Sequence, residues 1–153
     1  MNLLFDTNIL IHLAKDHSLK LLQQINPDGD KVFISVVTVG ELKSLALQNN
    51  WGSRKLGLVD VFLEEMLVVE INENLIDTYA QIDAYSQCKN PSFVAYPHKT
   101  ARNMGKNDLW IASTAALLGL TPVTTDGDFD HLNGVFFDIR KINPAELKAN
   151  SSR

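Results

Sequence analysis

Asn2-Leu3-Leu4-Phe5-Asp6-Thr7-Asn8 is an apolar run that ends abruptly in an acid flanked by small polar residues. A short run rich in Leu and Phe, followed by a helical pattern, reads as a buried first strand, central to a parallel sheet whose faces are both covered. Asp6 then stands at the carboxyl end of that strand, where ligands collect in open α/β sheets. The competing reading is that Asp6, Thr7 or Asn8 only caps the following helix. Three more acids in equivalent places weigh against it.

Working outward, Ile9, Leu10, Leu13, Leu19, Leu21, Leu22 and Ile25 recur at helical spacing, with a break near residues 16–18, and Asn26-Pro27-Asp28-Gly29 stops the pattern. Lys31 to Val36 is β-branched and aromatic, a second strand. Thr38 opens a helix carrying Glu41, Leu42, Leu45 and Leu47; Asn49 to Ser53 interrupts it and Arg54 to Met66 resumes it. Leu67 to Glu70 is a third strand. Asn72 precedes a helix from Glu73 to about Cys88 that turns Leu75, Ile76, Tyr79, Ile82 and Tyr85 toward the core.

Asn90 to Lys106, with Pro91, Pro97 and Gly105, has no period and reads as a long loop, of the kind that is functional in compact domains. A helix follows from Asn107 or Asp108 to Leu118, with Gly119 as its C-cap. Thr121 to Thr125 is a fourth strand, Asp126 to Asn133 a polar connection, Val135 to Ile139 a fifth strand, and the residues after Pro144 a frayed helix. Alternating strands and helices with long crossovers predict a three-layer α/β/α domain on a central parallel sheet of about five strands. The expected organisation is one domain over residues 1–144 and a C-terminal tail over residues 145–153.

The chain has 153 residues, 45% of them hydrophobic, enough for a core without disulfide or metal staples. Cys88 is its one cysteine, so no intrachain disulfide forms. No secretory leader and no apolar run long enough to cross a bilayer is visible, and a cytoplasmic protein is expected. The formal net charge is −4, yet residues 84–107 hold Lys89, Lys99, Arg102, Lys106 and His98 with no acid. That segment is +4 and the remainder −8, a segregation more informative than the total.

In a parallel sheet, strand carboxyl ends and the amino ends of crossover helices share one edge. Asp6 and Asp126 follow the first and fourth strands, while Glu41 and Asp108 fall in first turns of helices at that edge. Each has a plainer explanation: Thr38-Val39-Gly40-Glu41 is a capping box in sequence, Asp108 meets a helix dipole after an Asn107 cap, and Asp126-Gly127 is a turn signal. Four together are harder to dismiss, because two like charges ~4 Å apart repel by roughly 4 kcal/mol at an effective dielectric of ~20. A shared proton or a divalent cation must neutralise them, and an all-oxygen set points to Mg²⁺ or Mn²⁺. His12, His17, His98 and His131 show no zinc-site spacing.

Asp6-Thr7-Asn8, Ser35-Val36-Val37-Thr38-Val39-Gly40-Glu41-Leu42, Asn107-Asp108-Leu109-Trp110-Ile111-Ala112 and Val123-Thr124-Thr125-Asp126-Gly127-Asp128-Phe129 together resemble the four acidic motifs of PIN-domain ribonucleases, especially VapC-type toxins. The resemblance covers essentially the whole chain, in order. It implies a PIN-like fold, a metal-dependent endoribonuclease leaving 5′-phosphate and 3′-hydroxyl ends, an antitoxin partner and a homodimer. It further implies Asp6, Glu41, Asp108 and Asp126 as the catalytic, metal-binding quartet, Thr7 and Thr124 as the polar residues that orient it, and Asp128 as a candidate further ligand, with Asp130 open between ligand and turn. A haloacid-dehalogenase-like phosphatase ranks below, since Asn8 stands where its second Asp belongs. A receiver-like phosphoacceptor lacks its acid pair, and a non-catalytic PIN-like RNA- or protein-binding module has no need of the repulsive cluster.

The basic segment is expected to guide RNA to the acids, with Lys99, Arg102 and Lys106 contacting phosphates and Tyr85, Phe93 and Tyr96 free for base stacking. The competing expectation is a solvated loop with its aromatics in the core.

Overall fold

The computed structural model describes residues 1–16 and 20–151. Five strands, β1 (Asn2–Phe5), β2 (Lys31–Ser35), β3 (Leu67–Val69), β4 (Thr121–Thr124) and β5 (Arg140–Lys141), form one sheet in the order β3-β2-β1-β4-β5. Every pairing is parallel. The register sets Leu4 beside Phe33 on one side and Pro122 on the other, so β1 is the central strand. All five carboxyl ends therefore lie on one edge.

Among the described residues, seven α-helices cover the sheet: α1 (Thr7–Lys15), α2 (Lys20–Ile25), α3 (Val36–Gln48), α4 (Ser53–Glu65), α5 (Ile76–Ser86), α6 (Lys106–Leu118) and α7 (Pro144–Ser151). Side chains alternate across a strand, so β1 feeds two cores. Leu3 and Phe5 join Ile9, Leu13, Ile34, Leu42 and Phe62 on one face, while Leu4 joins Ile82, Tyr85, Leu109, Ile111 and Leu132 on the other. This is the three-layer α/β/α architecture that the alternation of strands and helices predicts.

The first helical region is described as α1 and α2, and Asp16 is buried and accepts from the Leu21 amide at 2.9 Å; the expected break near residues 16–18 falls mostly outside the described residues. His17 and Leu19 lie outside the described residues. The helix after β2 begins at Val36, not near Thr38, because Ser35 ends the strand and its Oγ accepts from Val37 N at 3.1 Å. The capping-box reading of Thr38 and Glu41 is thereby overturned.

Two more expectations fail for physical reasons. The fifth strand is Arg140–Lys141, not Val135 to Ile139: those residues form a turn closed by Gly134 N donating to Phe137 O at 2.8 Å, with Phe136, Phe137 and Ile139 packed on the second core. Ile76 is 57% exposed, because Glu73–Leu75 is a 3-10 turn whose tighter period buries Leu75 and rotates Ile76 outward. The helix that follows the long irregular segment starts at Lys106 with Gly105 as N-cap, and it ends at Gly119, whose φ of +66° suits a residue without Cβ.

Candidate active site

Asp6 directly follows β1 and caps α1. Its Oδ1 accepts from Thr7 N at 2.8 Å, as an N-cap does. Its Oδ2 is directed elsewhere: Thr124 Oγ1 donates to it at 2.8 Å and Asn8 Nδ2 at 3.2 Å. Thr124 Oγ1 in turn accepts from Asp126 N at 3.0 Å and Asn8 Nδ2 at 3.4 Å, which uses a hydroxyl's full capacity of one proton and two lone pairs. Asn8 Oδ1 accepts from Thr125 N at 3.2 Å. Asn8 thus ties the ends of β1 and β4 together, a role that the sequence did not suggest.

Glu41 lies in the second turn of α3, not the first, and reaches the same place: Thr7 Oγ1 donates to its Oε1 at 3.0 Å and stands 3.3 Å from the buried Thr38 Oγ1. Asp108 occupies the first turn of α6, half-buried and making no cap. Asp128 N donates to Asp126 Oδ1 at 3.3 Å, and the Asp128 carboxyl interacts with both Asp126 and Asp108. The structure thus brings Asp6, Glu41, Asp108, Asp126 and Asp128 within each other's field at one sheet edge. Asp130 is drawn away, its Oδ2 accepting from Lys141 Nζ at 2.8 Å.

Burial and mutual repulsion act on these groups together. Burial pushes the Asp6 carboxyl above its ordinary value against the hydrogen bonds from Thr124 and Thr7, and the charges of Glu41 and Asp126 add to the rise. Asp108 is pushed up to about 7, by burial first and then by Asp6, Asp128, Asp126 and Glu41. Asp128 is raised as well, chiefly by burial. Among the described residues no Lys, Arg or His forms an ion pair with any of the five.

A donor set made only of oxygen, desolvated at its centre and without a counter-cation, fits a hard divalent ion. Among the described residues no three acidic, imidazole or thiol groups stand close enough to cage one as placed. Mg²⁺, which commonly binds through one or two carboxylates and keeps several waters, needs no such cage.

Lys99, Arg102 and Lys106 are exposed, and the segment that carries them runs directly into the acids, since a Cβ on Gly105 would stand 3.9 Å from Asp108 Oδ2. Its aromatics are not free for stacking on bases. Tyr85 is 1% exposed with its ring packed by Phe93 and Tyr96, and Tyr96 Oη donates to Asn90 O at 2.8 Å while accepting from Asn90 N at 2.9 Å. These rings hold the irregular segment onto α5 instead. The same cluster buries His98 and His131, ring centroids 5.1 Å apart, with His131 Nε2 and Ser86 Oγ at 2.8 Å.

One depression is largely apolar. It is a cleft of about 400 Å³ between α3 and α4, lined by Leu42, Ala46, Leu47, Trp51, Leu56 and Val59. Its lining includes none of the five acids.

The PIN domain family profile matches residues 3–135. The chain belongs to the PIN-domain family. This PIN domain is similar to Ribonuclease VapC2 of Haemophilus influenzae, at 25% identity over 123 residues that span 80% of this chain and 85% of that relative. Among solved structures, VapBC2 from Rickettsia felis bound to a DNA fragment from its promoter superposes with a TM-score of 0.71 at 18% identity, over 92% of this chain and 98% of the other. A toxin-antitoxin complex from Klebsiella pneumoniae does so with a TM-score of 0.61 at 19% identity, over 87% and 92%. At these identities the solved structures establish the PIN fold. Among the described residues no helix is long and apolar enough to cross a membrane.

Proposed function

We propose that this PIN-domain chain is a divalent-metal-dependent endoribonuclease and the toxin of a toxin–antitoxin pair. One observation carries the reading: five acids share the carboxyl edge of the sheet, desolvated around Asp6 and paired with no cation among the described residues. Asp6, Glu41, Asp108 and Asp126 would hold Mg²⁺ or Mn²⁺, with Asp128 beside them. When bound, such an ion lowers the pKa of a coordinated water and offsets charge on phosphoryl oxygens during in-line displacement.

The chain's own groups orient that chemistry. Thr124 and Asn8 fix Asp6 Oδ2, the Thr7 amide fixes Oδ1, and the Thr7 hydroxyl fixes one oxygen of Glu41, so neither carboxylate swings freely. Burial and the neighbouring acids keep Asp108 partly protonated near neutrality, and to hold a cation its carboxyl would have to give up that proton. Lys99, Arg102 and Lys106 offer exposed charge to a phosphate backbone at the mouth of an otherwise repellent site. The toxin–antitoxin complexes among its relatives support a small antitoxin as partner, and we extend to this chain a homodimer and a cytoplasmic setting.

Single-stranded RNA incubated with the purified protein should be cut in Mg²⁺ or Mn²⁺, spared in chelator, and spared by Asp6→Asn, which keeps the shape and removes the charge. Full activity of a folded Asp6→Asn, or cutting in chelator, overturns the reading.

A further inference from the structure

We propose that Lys141 is a phosphate seat for the RNA strand, occupied by Asp130 until a phosphate displaces it; the inference rests on the ribonuclease reading above. The β4–β5 register pairs Thr124 with Lys141, so Lys141 ends β5 on the same edge at which Asp126 follows β4. Its ammonium does not drift in solvent. Nζ is 2.8 Å from Asp130 Oδ2, and a Cβ built on Gly127 would stand 3.7 Å from Nζ and 3.4 Å from that oxygen. The charge therefore lies over the Asp126-Gly127-Asp128 turn, ground that Gly127 leaves open by having no side chain.

A polyanion approaching five acids is repelled, and at physiological salt a compensating cation acts only within about 8 Å. Lys141 supplies such a cation from the β5 flank, beside the turn that carries Asp126 and Asp128. An ammonium has three donors, and Asp130 engages one oxygen's worth of them. The side chains are 48% and 53% exposed, and an exposed lysine–carboxylate pair contributes little to stability, so a phosphate can take the place of Asp130 at small cost. The pair suits a contact that is exchanged on binding better than a structural clamp.

The test is steady-state RNA cleavage in Mg²⁺ across a salt series. Lys141→Ala should raise KM roughly ten- to thirtyfold, the loss of one charge-assisted contact, with kcat within about twofold, as expected for a group that holds substrate and transition state alike. The dependence of log KM on log salt should become shallower by about 0.7, and Lys141→Arg should restore both. Asp130→Asn should lower KM in the parent chain and leave it unchanged in Lys141→Ala, because its effect passes through the freed ammonium. Wild-type KM and slope in Lys141→Ala overturn the seat, as does an Asp130→Asn effect of equal size in both backgrounds, which would mark general charge removal. A wild-type protein that cuts no RNA overturns the ribonuclease reading and the seat with it, whereas the first two outcomes leave that reading standing.

Discussion

Replacing Asp108 by Asn should stabilise the cation-free protein while abolishing its activity. The Asp108 carboxyl is pushed from 3.8 up to about 7 by burial and by four neighbouring acids. Because the folded value lies above the unfolded one, the folded chain binds that proton more tightly. The resulting stability is fully present below pH 3.8 and is lost as pH rises through about 7. At about 1.4 kcal/mol per tenfold change in proton affinity, the gap sets a ceiling of about 4 kcal/mol, and partial exposure of the side chain to solvent reduces this to about 2 kcal/mol. Asn keeps the shape and never ionises. Urea unfolding in chelator at pH 8 should therefore find Asp108→Asn more stable by about 2 kcal/mol, with the advantage shrinking steadily from pH 7 toward pH 4. A variant less stable than the parent at pH 8, or an advantage independent of pH, would refute the electrostatic account of the site.

Thr124→Val keeps the β-branched shape but removes the donor to Asp6 Oδ2; a hydrogen bond to a charged group is worth about 2 kcal/mol, so urea midpoints should drop accordingly, and an unchanged midpoint would count against that bond. His131 is pushed down to about 4 by burial, with His98 and Arg102 adding, so its contribution is present above pH 6.5 and is lost as pH falls toward 4, with a ceiling of about 3 kcal/mol. That loss opposes the trend of Asp108 and is best read in the Asp108→Asn background, where adding His131→Phe should flatten the acid limb of stability; a limb of undiminished slope would exclude His131 as its cause. Replacing Lys99, Arg102 and Lys106 together by Ala should reduce the salt slope of RNA affinity by about 2, at about 0.7 for each lost phosphate contact, and an unchanged slope with folding intact would leave the segment without a guiding role.

The sheet was legible because an acid follows β1 directly and β4 two residues on: Asp6 and Asp126 mark the carboxyl ends of those strands. What misled was apolar content without direction. Val135 to Ile139 is hydrophobic because it fills the aromatic core from a turn, and taking it for a strand hid the edge position of Lys141. Glu41 falls in the second turn of its helix and not the first, since Ser35 serves as both the last strand residue and the cap. Asn8 could not be read at all: its partners Thr124 and Thr125 lie 116 and 117 positions away, and no local pattern encodes a contact of that range. Tyr85, Phe93 and Tyr96 show the converse, since aromatics in a basic segment carry the same letters whether they face a base or one another.

The hydrogen bond from Thr124 to Asp6 spans 118 positions, and that span orders events during synthesis. Asp6, on the strand at the centre of the sheet, is made well before its β4 neighbour, Asp108 and Asp126. A half-made chain can pair β1 with β2, but it lacks two of the four quartet acids and the hydroxyl that aligns a third. Long-range pairing of this kind forms late and slowly. An enzyme that cuts RNA while attached to the message encoding it would end its own production. On the ribonuclease reading, a growing chain that has not yet made β4 lacks the hydroxyl that aligns Asp6 and should leave its own message uncut.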